Sequence, residues 1–224
     1  MAEKVVLGIL ASGRGSNLHS IIRAVRAGGL AAEIGVVISD KPSANALRLA
    51  ADFNLPAVCV DRKQYQTQLE FEQALAAQLR AHQVELVVLA GFMRILSPYF
   101  VHSFTNRIMN IHPSLLPAFP GKNAQEQAIR YGAKLSGCTV HFVDEGMDSG
   151  PVILQQPVPV LSDDTPDTLA ERILQQEHEA YPEAIRLYVE GRLQIDGRLV
   201  RVIDREKEAA GSHPARIVRD GNEG

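Results

Sequence analysis

The chain has 224 residues, 46% hydrophobic but only 5% aromatic and without Trp, so an aliphatic core in one large domain is expected. Lys and Arg number 23 against 26 Asp and Glu, a net charge of -3, which excludes the broad basic surface of a general nucleic-acid binder. No apolar run is long enough to span a membrane, no signal peptide is recognisable, and Cys59 and Cys138 are too few for a disulfide scaffold or a zinc site; the expectation is a cytoplasmic protein acting on small molecules, without metal, as a monomer or homodimer.

Residues 4–10 (KVVLGIL) form a β-branched apolar run, which predicts a strand buried on both faces. Gly13-Arg14-Gly15-Ser16-Asn17 interrupts it. Leu18, Ile21, Ile22 and Val25 then recur at helical spacing over 18–27, and Gly28-Gly29 ends that helix. Strands are predicted over 34–38 and 57–60, with a helix over 43–54 between them. A helix follows over 64–83, and LVVLA at 86–90 is another buried strand. Such alternation indicates βαβ units and a parallel sheet.

The second half continues without a linker. A short strand over 107–111 is closed by His112-Pro113, and a helix over 123–131 stops at Gly132. Strands over 135–143 and 152–160 flank an acidic loop, 144–150. Thr165-Pro166 supplies an N-cap and a first helical residue. That helix should run towards Ala180, with Pro182 kinking or restarting it. Residues 192–202 read as a hairpin turning on Asp196-Gly197. The expected fold is α/β and Rossmann-like: a mostly parallel sheet flanked by helices, with a late antiparallel strand pair. One domain is expected over 1–203, and a charged, disordered tail over 204–224.

Three segments carry candidate chemistry. Gly13 to Asn17 joins a strand to a helix, and free amides at a helix N-terminus favour an anion such as phosphate. The blander reading is a tight glycine turn. The loop lacks the third Gly of a dinucleotide fingerprint, although Asp40 could serve as its ribose-binding acid. In the second segment, Asn110 and His112 lie two residues apart on a strand and project from one face. Pro113 keeps His112 extended. An amide and an imidazole side by side suit a developing oxyanion; a buried structural pair is the alternative. The third segment holds Asp144, Glu145 and Asp148, any of which could orient the His112 ring, unless the loop is only a solvated turn. Cys59 and Cys138 read as inert core thiols, and Glu177-His178 as a solvent-facing pair.

LVVLAGFMRILSP (86–98), NIHPSLLPAFPG (110–121) and DEGMDSGPVILQ (144–155) resemble the folate-dependent formyltransferase superfamily. ILASGRGSNL (9–18) and QEHEAYP (176–182) are similar to its branch acting on phosphoribosylglycinamide. The resemblance runs from about residue 5 to residue 193. It implies transfer of a formyl group from 10-formyltetrahydrofolate, the co-substrate, to the amine of 5-phosphoribosyl-glycinamide in purine synthesis. Transfer would be direct, through a tetrahedral intermediate.

By the same resemblance, Asn110 and His112 would stabilise the oxyanion, with His112 protonated. Asp148 would favour that protonated form and relay the amine's proton through water. Gly15, Ser16 and Asn17 would hold the phosphate, and Glu177 would contact the glycinamide substrate. Gln68, Met93, Arg94, Ile95, Leu96 and Asn110 would form the folate side. Two positions depart from the family pattern: Gln68 stands where an Arg is frequent, and Gly146-Met147 differs from the usual loop. Among rivals, a tRNA formyltransferase carries an added basic domain. Formyltetrahydrofolate deformylase, in which water replaces the amine, usually carries an added N-terminal one. A non-catalytic nucleotide-binding module would leave Asn110, His112 and Asp148 without a role.

Overall fold

The apolar runs become the middle of one sheet in the computed structural model, which describes residues 4–204. Apart from Asp204, the expected tail lies outside the described residues. The first half contributes β1 (Val5–Leu10), α1 (Ser16–Arg26), β2 (Ala32–Ser39), α2 (Asn45–Asp52), β3 (Ala57–Cys59), α3 (Gln68–Ala81) and β4 (Leu86–Leu89). The second contributes α4 (Pro98–Ser103), β5 (Ile108–His112), α5 (Ala124–Tyr131), β6 (Leu135–Phe142), β7 (Val152–Pro159) and α6 (Pro166–Val189), then β8 (Leu193–Asp196) and β9 (Leu199–Val202).

The seven-stranded sheet has the order β3-β2-β1-β4-β5-β6-β7. The first five strands in that order pair in parallel, and β6 runs antiparallel to both its neighbours. A separate antiparallel hairpin holds β8 and β9. The chain first builds outwards from β1 to β3, then returns to the other side of β1 at β4. Open α/β sheets bind ligands at such a switch point, beyond the strands' C-terminal ends. The loops after β1, β4 and β5 all leave from that edge.

Alternation along the strands divides the core in two. Leu7, Ile9, Leu86, Val88, Met109 and Ile111 pack with α1 and α6, while Val36, Ile38, Val87 and Leu89 pack with α3 and α4. Both faces being covered explains why the central strands are nearly all apolar. Among the described residues, no helix is long and apolar enough to cross a membrane.

The structure corrects several local expectations. The helix predicted from 64 begins at Gln68, because Thr67 and Glu70 close a capping box there and Arg62–Gln64 forms a separate 3-10 turn. The short helix α4 was not anticipated; Ser97 is its N-cap and Pro98 its first residue. Pro182 neither ends nor restarts α6, which is one helix to Val189. Proline inside a helix costs about 3 kcal/mol. Here Ala180, Tyr181, Ala184 and Ile185 are buried on both sides of it and offset that loss. The hairpin turn moves by one residue: Asp196 pairs with Leu199, so Gly197 and Arg198 form the loop, with Gly197 at φ 55°. Cys59 is not a core thiol, because β3 is a short edge strand that leaves it exposed. Cys138 is buried, and burial pushes its thiol up to about 12.

Candidate active site

Gly15 sits at φ 81° as the N-cap of α1. A side chain there would be strained, and its Cβ would lie 3.3 Å from the Ala46 backbone. The first turn of α1 leaves its amides facing a cavity of about 520 Å³ lined by residues 13–17, Met93, Ile111, Pro113 and Glu177. Ser16 therefore stands where an anion would dock. Asn17, the next residue, has its side chain engaged within the protein. It is buried, and its amide donates to Glu177 Oε2 at 2.8 Å. Its Oδ1 is buried and has no hydrogen-bond partner among the described residues.

Glu177 is likewise buried on α6, not paired in solvent with His178. Burial pushes its carboxyl above the ordinary range, and the Asn17 hydrogen bond offsets only part of that shift.

At the end of β5, Met109 and Ile111 turn into the core under α1 and α6. Ile111 and Pro113 also line the 520 Å³ cavity, whereas Asn110 lines a second one of about 120 Å³. The strand end thus divides two cavities. His112 is buried, and its Nε2–H donates to the Phe119 carbonyl at 2.9 Å. Its Nδ1 lies 3.2 Å from Asp148 Oδ2. Both ring nitrogens face oxygen acceptors, a setting that only the doubly protonated ring satisfies in full.

Geometry also separates the three acids of the loop. Asp148 alone of them reaches His112, and it does so at φ 50°, a backbone region Asp tolerates better than most residues. The Gly121 N–H donates to the same Oδ2 at 2.7 Å. Gly121 itself lies at φ 80°, and a Cβ there would approach Met147 Sδ at 3.1 Å. Asp144 instead accepts from Ser149 Oγ and from the Gly146 amide, shaping the loop. Glu145 pairs with His102 at 2.7 Å on the exposed side.

One residue of the cluster escaped the sequence reading. The β5–β6 register sets Asn110 opposite His141. His141 donates from Nδ1 to the Phe142 carbonyl at 2.8 Å, leaving Nε2 to accept from Asn110 Nδ2 at 3.2 Å. Burial lowers its pKa and so favours the neutral ring this pattern requires. The only sequence signal was a His at an alternate strand position beside Thr139, and it becomes informative once the register is known.

The smaller cavity has an apolar wall of Leu89, Phe92, Leu96 and Val143, with Asn110 and Asp144 at its polar edge. Such a slot fits a flat heteroaromatic ring. Arg94, Ile95 and Leu96 also border an adjoining cleft of about 340 Å³. Gln68 lines that cleft, but its amide donates to Glu72 Oε1 at 2.9 Å and to the Ile95 carbonyl at 3.1 Å. Buried Glu72 in turn accepts from the Ser97 amide at 2.8 Å and from its hydroxyl. Gln68 and Glu72 therefore brace the 94–97 loop. Arg94 pairs with buried Asp40 at 2.5 Å. The acid that a dinucleotide reading would assign to a ribose is engaged with that arginine. Among the described residues, no cluster of three or more His, Cys, Asp or Glu is arranged to hold a metal ion.

The formyl transferase family profile matches residues 4–185. The phosphoribosylglycinamide formyltransferase of Bacillus subtilis is 43% identical over 178 residues, 80% of this chain and 91% of that protein. The trifunctional purine biosynthetic protein adenosine-3 of Drosophila melanogaster is 45% identical over 187 residues, 83% of this chain. The match spans only 14% of that longer protein. The crystal structure of glycinamide ribonucleotide transformylase 1 from Symbiobacterium toebii superposes with a TM-score of 0.89 at 49% identity, covering 91% of this chain and 96% of that one.

Proposed function

The chain belongs to the formyl transferase family, and from that premise we propose that it moves the formyl group of 10-formyltetrahydrofolate onto the amine of 5-phosphoribosyl-glycinamide. The observation that carries this reading is the cluster of Asn110, His112 and Asp148 at a strand end dividing two cavities. A two-substrate reaction needs one cavity for each partner and polar groups where they meet.

The phosphate docks on the amides of Gly15, Ser16 and Asn17 at the start of α1. Asn17 and Glu177 line the same cavity and border the rest of that substrate. The folate ring enters the slot against Leu96 and residues 144–148, which supply its apolar wall and polar edge.

As the amine nitrogen bonds to the formyl carbon, negative charge grows on the formyl oxygen and positive charge on the nitrogen. Asn110 donates a hydrogen bond to that oxygen, and His112 does so as its Nε2–H turns from the Phe119 carbonyl to the formyl oxygen. Neutral His141 fixes which way the Asn110 amide faces. Asp148 balances the imidazolium and receives the amine's proton through water. When the carbon–nitrogen bond to the folate breaks, His112 protonates the departing nitrogen and Asp148 passes the amine's proton back to His112. One proton has then crossed from amine to folate, and nothing is oxidised or reduced.

The test follows the folate's absorbance with purified protein, with and without glycinamide ribonucleotide. Acceptor-dependent loss of the formyl group is expected. Equal rates without the acceptor would identify a hydrolase instead.

A further inference from the structure

We propose that a hollow of about 320 Å³ between α1 and α6 binds a second phosphate group, free or carried by a small sugar, through His19, Arg23 and His178. Helical spacing places His19 and Arg23 one turn apart on the same side of α1. α6 meets them with His178 and Pro182, likewise four residues apart. None of the residues lining this hollow lines the 520 Å³ cavity, so it is separate from the place where the substrate phosphate docks. Its volume lies at the small end of the range for organic ligands, about 300–1,000 Å³, which suits a sugar phosphate as well as the bare ion.

Two observations point to an anion there. His178 Nε2 is buried and has no hydrogen-bond partner among the described residues. A buried polar atom left unpaired is destabilising, and an ion or a water commonly satisfies it. The Arg23 guanidinium forms no ion pair among the described residues either. Ser20 also lines the hollow, but its hydroxyl already donates to the Asn17 carbonyl at 2.9 Å. One acid, Glu179, lines the hollow, against Arg23 and two imidazoles. Phe53, just past the end of α2, packs edge-on to His19 with 5.7 Å between ring centres and brings no charge. Burial lowers the His178 pKa, and neighbouring His19 lowers it further. An anion beside both rings favours their charged forms, so binding takes up protons. Two imidazolium rings and a guanidinium then give charge-assisted hydrogen bonds from both helices.

The experiment titrates protein carrying isotope-labelled histidine rings with inorganic phosphate, ribose 5-phosphate and sulfate, and follows the ring signals of His19 and His178. Both rings should shift along one saturable curve, with a dissociation constant of about 1 mM or tighter near neutral pH. Arg23→Gln changes an exposed side chain and should weaken binding roughly two- to five-fold. The double variant R23Q/H178Q, read at His19, should weaken it about ten-fold or more. Arg201→Gln, on β9, should change nothing. Sulfate keeps its charge throughout, and its affinity should rise roughly ten-fold from about pH 8 to pH 6, where the rings gain their protons. Tighter binding of ribose 5-phosphate than of phosphate would assign the hollow to a sugar phosphate, and equal binding to the free ion; either supports the proposal. No saturable shift of the two rings up to about 20 mM phosphate would overturn it. So would a curve unchanged in the double variant, which would place the anion at the start of α1 instead.

Discussion

Replacing Asp148 by Asn isolates charge from shape. The residue lies at φ 50°, which Asn tolerates as well as Asp does, and an amide oxygen can still accept the Gly121 N–H now held at 2.7 Å. The change is the loss of the negative charge 3.2 Å from His112 Nδ1, between side chains only 5% and 16% exposed. A hydrogen bond to a charged group is worth about 1.5–3 kcal/mol in such a setting, which converts to a fall in kcat of roughly 10- to 160-fold. The melting temperature should move by no more than about 2 °C. Asp148→Ala is the useful contrast. It loses the Gly121 bond as well and leaves a residue without a polar side chain in the left-handed region, so it should also melt about 3–6 °C lower. Steady-state formyl transfer and thermal melts on both variants check this. Asp148→Asn with kcat within about three-fold of the unaltered protein would refute the pairing's catalytic role.

Other outcomes follow from the same geometry. His112→Ala should lower kcat about 100- to 1000-fold in the transfer assay while the protein still melts cooperatively. His141→Ala removes the acceptor that orients Asn110 and should lower kcat about ten-fold with little change in either KM, measured in the same assay. Glu177 is raised by burial above its ordinary 4.5, so the stability tied to its protonated form is fully present below that value and is lost as pH rises through the folded-state pKa. Glu177→Gln keeps an acceptor for Asn17, so its melting temperature relative to the unaltered protein should climb between about pH 4 and pH 8; a flat difference would contradict the buried carboxyl. Tyr181 is fully buried, and its hydroxyl donates to the carbonyl of either Leu89, at 3.0 Å, or Met109, at 2.7 Å. Tyr181→Phe should cost about 1–2 kcal/mol in chemical denaturation.

Much of the scaffold was legible because its signals are local. The runs at Val5–Leu10 and Leu86–Leu89 are apolar at every turn of the pleat, and only a sheet covered on both faces needs that. Pairing Asn110 with His112 required nothing beyond strand periodicity. What failed depended on tertiary partners. Pro182 reads as a break until Tyr181 is seen anchored to the carbonyls of Leu89 on β4 and Met109 on β5. Glu177 reads as a surface charge until α6 is packed against Asn17, 160 residues away in sequence. His141 carries no motif, and its role exists only through the antiparallel register with β5. Spacing could not choose among Asp144, Glu145 and Asp148, since the choice lies in how the loop folds back onto Gly121. Resemblance to the formyltransferases pointed to Asp148, and the 3.2 Å approach to His112 gives the physical ground.

The most direct test of the central claim is the fate of the formyl carbon. With 10-formyltetrahydrofolate labelled at that carbon and saturating glycinamide ribonucleotide, the label should appear almost entirely on the glycinamide nitrogen. It should also fail to move when Asn110 and His112 are both replaced by Ala. Label recovered chiefly as free formate would mean that water, not the amine, is the acceptor at this site.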